Sequence, residues 1–118
     1  MQAQQVFNKA VILLGYDASN IPNRLKAVAV ENINIIYADL WRIEKGGEFT
    51  PITSLSDEIK LSQNTIGGIM LFGVCMRLAQ SESDGDQQQT YTYLYNGARA
   101  RLSQVYTAKD RFIGSDDL

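Results

Sequence analysis

Residues 54–78 read SLSDEIKLSQNTIGGIMLFGVCMRL and contain the one clear break in an otherwise helical pattern. The first part, 54–61, mixes polar and apolar residues without helical spacing, which predicts an extended segment. The second part, 66–78, is apolar on nearly every side, which predicts a buried core helix. Ser62 lies between the two parts and is a suitable N-terminal cap for that helix.

Three glycines lie inside the predicted core helix: Gly67, Gly68 and Gly73. Each weakens a helix interior by about 1 kcal/mol relative to alanine, so their presence needs a reason. The simplest reason is a close approach of the helix backbone to a neighbouring element at these positions.

Two helices are expected before the core helix. Apolar residues at three- and four-residue spacing predict a short helix over about residues 2–14, ended by Gly15. A second, longer helix is expected over about 22–45, because Pro22 fits the first turn of a helix and two consecutive glycines follow Lys45. The residues after them, 48–61, are expected to form a loop with short extended pieces.

A fourth helix is expected after the acidic turn at 82–86, with Asp86 as its N-cap and an end near Tyr106. It should form an antiparallel hairpin with the core helix. The predicted fold is therefore all-α: a small bundle of about four helices, with an extended loop between the second and third. We expect a single helical domain over 1–106 and a flexible C-terminal tail over 107–118.

The second helix has more apolar surface than one buried face needs. Tyr37 and Trp41 lie outside its main apolar stripe. Such a helix is either central and covered by its own chain, or it gives its second face to another subunit. The sequence leaves both explanations open.

Composition argues against several kinds of chemistry. The chain has 118 residues, a net charge of -2, one cysteine and no histidine. Ordinary zinc sites cannot be built from these residues, and no histidine is present to activate Cys75, which is expected to be a small buried hydrophobe. The acidic turn lacks the bidentate glutamate of a calcium loop, since Tyr95 stands at that position. We predict no cofactor, no metal site and no catalytic residue.

Two clusters of charge invite a functional interpretation. Asp57 and Glu58 are adjacent carboxylates, but neighbours in an extended segment point to opposite sides, so they are not expected to act as a general acid and base. The cations near the C-terminus could contact nucleic acid, yet a solvated helix face is the preferred interpretation. These cations are Arg99, Arg101, Lys109 and Arg111.

The N-terminal residues lack the basic region of a signal peptide, and the apolar run 66–76 is too short to span a bilayer. A protein that is not secreted and has no membrane partner is therefore expected.

Three features resemble the small all-helical head-to-tail connector proteins of tailed bacteriophages, also called adaptor or head-completion proteins. They are the long helix around 27–43, the loop TSLSDEIKL at 53–61 leading into IGGIMLFGVCMRLA at 66–79, and GDQQQ at 85–89 followed by a helix containing YNGARAR at 95–101. Family members carry a similar D-E-I-x-L loop, an RLA element and a Y-x-x-A-R-A-R sequence. The resemblance covers roughly residues 20–105.

The resemblance implies a structural role in the virion or in a prophage. Copies would form a ring of about a dozen subunits under the portal protein, assembled in the bacterial cytoplasm. That ring would extend the DNA channel, bind a tail-completion protein, and let DNA pass without sequence-specific binding. By this analogy the loop and the tail are the expected contact segments. The hypothesised subunit or partner contacts are Tyr37, Trp41, Leu55, Asp57, Glu58, Ile59, Phe112 and Ile113.

The alternative is a small helical binding or regulatory module without catalytic activity. It would form a dimer through the broad apolar face of the second helix. A stable dimer that forms no larger species with a portal would favour this alternative.

Overall fold

The computed structural model describes the backbone of residues 1–116 and the side chains of residues 1–107. The fold is an all-α bundle, as predicted, and no strand occurs within the described backbone. A π-helical segment, Thr65–Met70, leads directly into α4. The α-helices are α1 (Ala3–Leu13), α2 (Asn23–Ala27), α3 (Ala29–Glu44), α4 (Leu71–Ser81) and α5 (Gly85–Asp116).

Helix α4 is the centre of the bundle and packs against α1, α3 and α5. Val74, Cys75 and Leu78 are fully buried, so the prediction of a core helix is confirmed. Cys75 donates its thiol hydrogen to the carbonyl of Ala10 at 3.6 Å, and burial raises its pKa to about 12. It therefore packs as a small hydrophobe.

Local sequence signals mark several helix ends correctly. Gly15 has φ +95° and closes α1, as expected for the residue after a helix. The Ser62 hydroxyl accepts a hydrogen bond from the Thr65 amide at 3.2 Å and so caps the core helix. The cap of α5 is Asp84, and the prediction of Asp86 is wrong. Asp84 Oδ1 accepts the Gln87 amide at 3.2 Å, so the helix begins at Gly85.

Two predicted helices differ from the structure in extent. The expected helix over 22–45 is two helices, because Val28 leaves the helical conformation with φ -106° and ψ 4°. No glycine or proline marks this break, and a β-branched residue with weak helix preference occupies it. Helix α5 continues to Asp116, well beyond the predicted end near Tyr106. Residues 107–116 contain no proline, and extending an existing helix is far easier than starting one.

Of the three glycines in the core helix, only Gly73 permits a close approach. A Cβ atom there would lie 2.7 Å from Tyr95 Cε1 and 2.8 Å from Ile36 Cγ2, so α3 and α5 both contact the backbone of α4 at this point. The same expectation is wrong for Gly67 and Gly68. A Cβ atom at either would meet no atom within 4 Å, and both belong to the π-helical segment.

The loop between α3 and the π-helical segment crosses the bundle and pairs with the N-terminus. The amides of Ala3 and Gln4 donate to the carbonyls of Asp57 and Leu55, and the Ile59 amide donates to the carbonyl of Met1. Gln2 and Glu58 form an isolated antiparallel bridge. The extended character predicted for 54–61 is present only around Glu58, and it is wrong for residues 54–57, which form a turn in which the Asp57 amide donates to the Ser54 carbonyl at 3.1 Å.

Candidate interaction surfaces

The second apolar face of α3 is covered by the chain's own loop. Tyr37 is only 3% exposed, and its ring makes edge-on contacts with Phe49 at 5.0 Å and Trp41 at 6.0 Å. Trp41 is half-buried, and its indole Nε1 is shielded from solvent without a hydrogen-bond partner among the described residues. Apart from the exposed Ile35, the broad apolar surface of α3 is therefore largely covered within the chain, which agrees with the first of the two explanations left open by the sequence.

Three polar side chains of α3 hold the loop in place. Asn34 forms two bonds of 2.9 Å with Ile52: its Nδ2 donates to the carbonyl and its Oδ1 accepts the amide. The Tyr37 hydroxyl accepts the Lys60 amide at 3.0 Å. At the end of the helix, the Glu44 carboxylate accepts the Ser62 amide at 2.8 Å. These bonds satisfy backbone groups that no secondary structure would satisfy.

Replacing Asn34 with alanine should loosen the loop without unfolding the bundle. Two backbone groups of Ile52 lose their partners, and Ile52 is buried, so we expect a loss of about 1–2 kcal/mol. Hydrogen exchange of the Ile52 amide should accelerate, while amides within α4 keep their protection. Asn96→Ala, an exposed change on α5, is the matched control. Equal exchange at Ile52 in both variants would show that Asn34 does not hold the loop.

Asp57 and Glu58 have separate partners and do not converge. Asp57 Oδ2 accepts the backbone amides of Thr53 and Ser54 at 2.9 and 3.2 Å, and these bonds hold the pKa of Asp57 below its ordinary value. Glu58 is exposed and lies 3.0 Å from the amino group of Met1. The two carboxylates therefore bind different groups, but Asp57 belongs to a turn that its own amide closes on the Ser54 carbonyl at 3.1 Å, so the alternation of an extended segment does not explain this.

The remaining expected contacts of the loop differ in accessibility. Ile59 is 3% exposed and Tyr37 equally so, which leaves neither side chain available to a partner in this conformation. Both fill the core between the loop and the helices. Leu55 is half-buried. The loop also borders an open depression of about 280 Å³, lined by Thr50, Pro51, Ile52, Asp57, Glu58 and Lys60.

A charged cluster joins α3 to α5. The guanidinium of Arg99 binds Asp39 with two bonds, Nε to Oδ2 at 2.6 Å and Nη2 to Oδ1 at 2.8 Å. The hydroxyl of Tyr95 donates to the same Oδ2 at 2.5 Å. Burial raises the pKa of Asp39, but the bonds from Arg99 and Tyr95 outweigh it, so the net pKa lies below the ordinary value. Burial also raises the pKa of Tyr95.

This cluster is not predicted by the sequence. There Arg99 belongs to a group of C-terminal cations, whereas the structure pairs it with a carboxylate on another helix. Arg101 is exposed and has no ion pair among the described side chains. Nothing local predicts the pairing, since Asp39 and Arg99 are 60 positions apart.

Large apolar side chains are exposed at separate places on the surface. Ile12 and Leu13, at the end of α1, are 55% and 46% exposed. Val105, on α5, is 54% exposed although Leu102, one turn earlier, is half-buried. The other two exposed large apolar residues within 1–107 are Ile35 and Tyr93. Phe112 and Ile113 are expected contacts whose side chains lie outside the described residues.

Some kinds of site are not found in the described part of the chain. No three side chains among its His, Cys, Asp and Glu residues form a group that could hold a metal ion. None of its helices is both long enough and apolar enough to cross a membrane. Comparison with known protein families, with curated proteins and with solved structures finds no match to this chain.

Proposed function

We propose that the protein is a structural subunit that assembles as a ring and connects the head of a tailed bacteriophage to its tail. The ring would dock on the portal protein, extend the DNA channel and offer its other surface to a tail-completion protein. The residues around the loop and the C-terminal part of α5 would make the contacts between subunits and with these partners.

The observation that carries the proposal is the continuation of the α5 backbone to Asp116, with Val105 exposed on this helix. The core-facing stripe of this helix includes Tyr95 and Ala98, both buried, and then Leu102. At about 100° per residue, Val105 lies at the edge of this stripe and is 54% exposed, whereas Tyr106, nearer the middle of the stripe, is half-buried. An exposed apolar side chain at the edge of a stripe, on a helix that continues for further turns, is suited to burial against another chain.

Positions 112 and 113 lie in the same helical register. Counting about 100° per residue from Leu102, Phe112 and Ile113 fall on either side of the stripe that contains Val105. The backbone is helical through both positions. The C-terminal contact inferred from the family resemblance therefore has a regular helix on which to form.

The charge distribution is compatible with a channel through which DNA passes without being gripped. Arg99 is neutralised by Asp39, which removes one of the four C-terminal cations from any phosphate contact. The net charge of the chain is -2. Tight binding to a polyanion requires several unpaired cations on one surface, so transient contact with passing DNA fits these residues better.

The mass of the purified protein over a wide concentration range tests the proposal, together with negative-stain images of any large species. We expect closed rings with a central hole, either for the protein alone or after addition of a phage portal protein. A dimer that gains no further subunits in the presence of that portal would contradict the proposal and favour the dimeric binding or regulatory module.

A further inference from the structure

The loop after α3 begins with a short segment that a single side chain holds against the bundle. We call this segment, residues 47–51, the flap. It forms no hydrogen bond with any residue that the structure describes. Only Phe49 of the flap is half-buried, and its ring lies 5.0 Å from that of Tyr37 and 6.3 Å from that of Trp41. The aromatic contacts of Phe49 are therefore what attaches the flap.

Both ends of the flap are defined by the backbone. Before it, the Gly46 amide donates to the Trp41 carbonyl at 2.9 Å and so belongs to the end of α3. Gly46 and Gly47 have φ +69° and +75°, a left-handed turn that glycine adopts without strain. After the flap, Asn34 binds both backbone groups of Ile52. The flap thus lies between a turn made by two glycines and a fixed clamp.

The indole of Trp41 opposes closure of the flap. Its Nε1 is shielded from solvent and has no hydrogen-bond partner within residues 1–107. An N–H group in this state has given up its bond to water and gained none in return, which is unfavourable. The edge-on and tilted ring contacts of Phe49 favour closure. The closed flap therefore depends on a balance between these two contributions.

We infer that the flap opens about Gly46 and Gly47 while the rest of the loop stays in place, and that Phe49 is the latch that closes it over Trp41. Opening breaks no hydrogen bond among the described residues and returns Nε1 to water. A partner therefore reaches this donor only while the flap is open. The movement is a property of the single chain and does not depend on the proposed ring.

Hydrogen exchange of the Trp41 indole tests the movement, because a chain with one tryptophan gives one indole N–H signal by NMR. Nε1 is protected by burial alone, so its exchange rate reports how often the flap opens. After correction for intrinsic rates, we expect it to exchange at least about 100-fold faster than the core amides of α4, and faster than the Ile52 amide. Exchange of the indole only as fast as the α4 amides would require unfolding of the bundle and would overturn the inference.

Two variants of Gly47 locate the hinge. Gly47→Val places a β-branched residue at positive φ and strains the closed flap, whereas Gly47→Asn introduces a residue that tolerates this conformation. A Cβ atom at position 47 would meet no atom within 4 Å, so neither change begins with a clash. Gly47→Val should raise the indole exchange rate about tenfold and leave the Ile52 amide unchanged, with Gly47→Asn close to the parent protein. Equal acceleration at the indole and at Ile52 would show that the whole loop moves as one unit, against the inference.

Phe49→Ala tests the latch. Loss of the aromatic ring should raise the indole exchange rate by more than about tenfold, while the Ile52 amide keeps its protection. Glu48→Ala, an exposed change in the same flap, is the matched control and should leave the indole rate unchanged. If Phe49→Ala and the parent protein exchanged the indole proton equally fast, Phe49 would not hold the flap and the inference would fail.

Discussion

Gly73→Val is expected to destabilise the fold by about 3 kcal/mol, which is a large share of the stability of a domain of this size. The new Cβ would lie 2.7 Å from the ring of Tyr95 and 2.8 Å from the side chain of Ile36. Both neighbours are held in the core by other contacts, so neither can move away cheaply. Urea unfolding at low protein concentration measures the loss.

Gly67→Val is the matched control for that prediction. It places the same side chain at a position where no atom lies within 4 Å, six residues earlier in the chain. We expect its free energy of unfolding to lie within about 0.5 kcal/mol of that of the parent protein. If Gly73→Val and Gly67→Val were equally stable, the close approach of α3 and α5 to α4 would not constrain position 73.

Asp39→Ala is expected to lower stability by about 2 kcal/mol at neutral pH. The change leaves Arg99 and the buried Tyr95 hydroxyl without their partner, and the partial exposure of the ion pair reduces the loss. Glu31→Ala, an exposed change on the same helix, should be nearly neutral. Thermal or urea unfolding of the three proteins measures the difference.

The pH dependence of the same variant follows from the direction of the pKa shift. The pKa of Asp39 in the folded chain is below its ordinary value of 3.8, so the charged form is stabilised by folding. The contribution of the charged Asp39 to the free energy of unfolding is complete above pH 3.8, and it is lost as the pH falls through the lower pKa of the folded chain. The difference in free energy of unfolding between the parent protein and Asp39→Ala should therefore become smaller in that acidic range. If the difference in free energy of unfolding stayed constant down to the lowest pH measured, the loss of stability in Asp39→Ala would come from packing.

Local chemistry explains which parts of the fold could be predicted. Gly15 and Ser62 act on groups within four residues of themselves, so their roles can be read from the sequence. The apolar character of α4 identifies the core because it covers nearly every side of the helix. The break at Val28 has no such local signal, and its conformation depends on packing.

The candidate surfaces were harder to predict because they depend on what covers them. Tyr37 and Trp41 were compatible with a face covered by the chain itself or by another subunit, and only the structure shows that Phe49 of the loop lies on that face. The pairing of Asp39 with Arg99 joins helices that are distant in sequence and leaves no periodic pattern. Ile12 and Leu13 belong to an ordinary amphipathic helix in the sequence, and only their exposure in the folded chain makes them a candidate surface.

Trp41 is the chain's single tryptophan, and its position gives the protein an intrinsic fluorescence reporter. Its indole contacts Tyr37 and Phe49, and Nε1 is shielded from water. Emission should therefore be blue-shifted in the folded chain and move to longer wavelength when the loop lifts from α3. A red shift on binding of a partner would therefore report that the loop has moved away from Trp41.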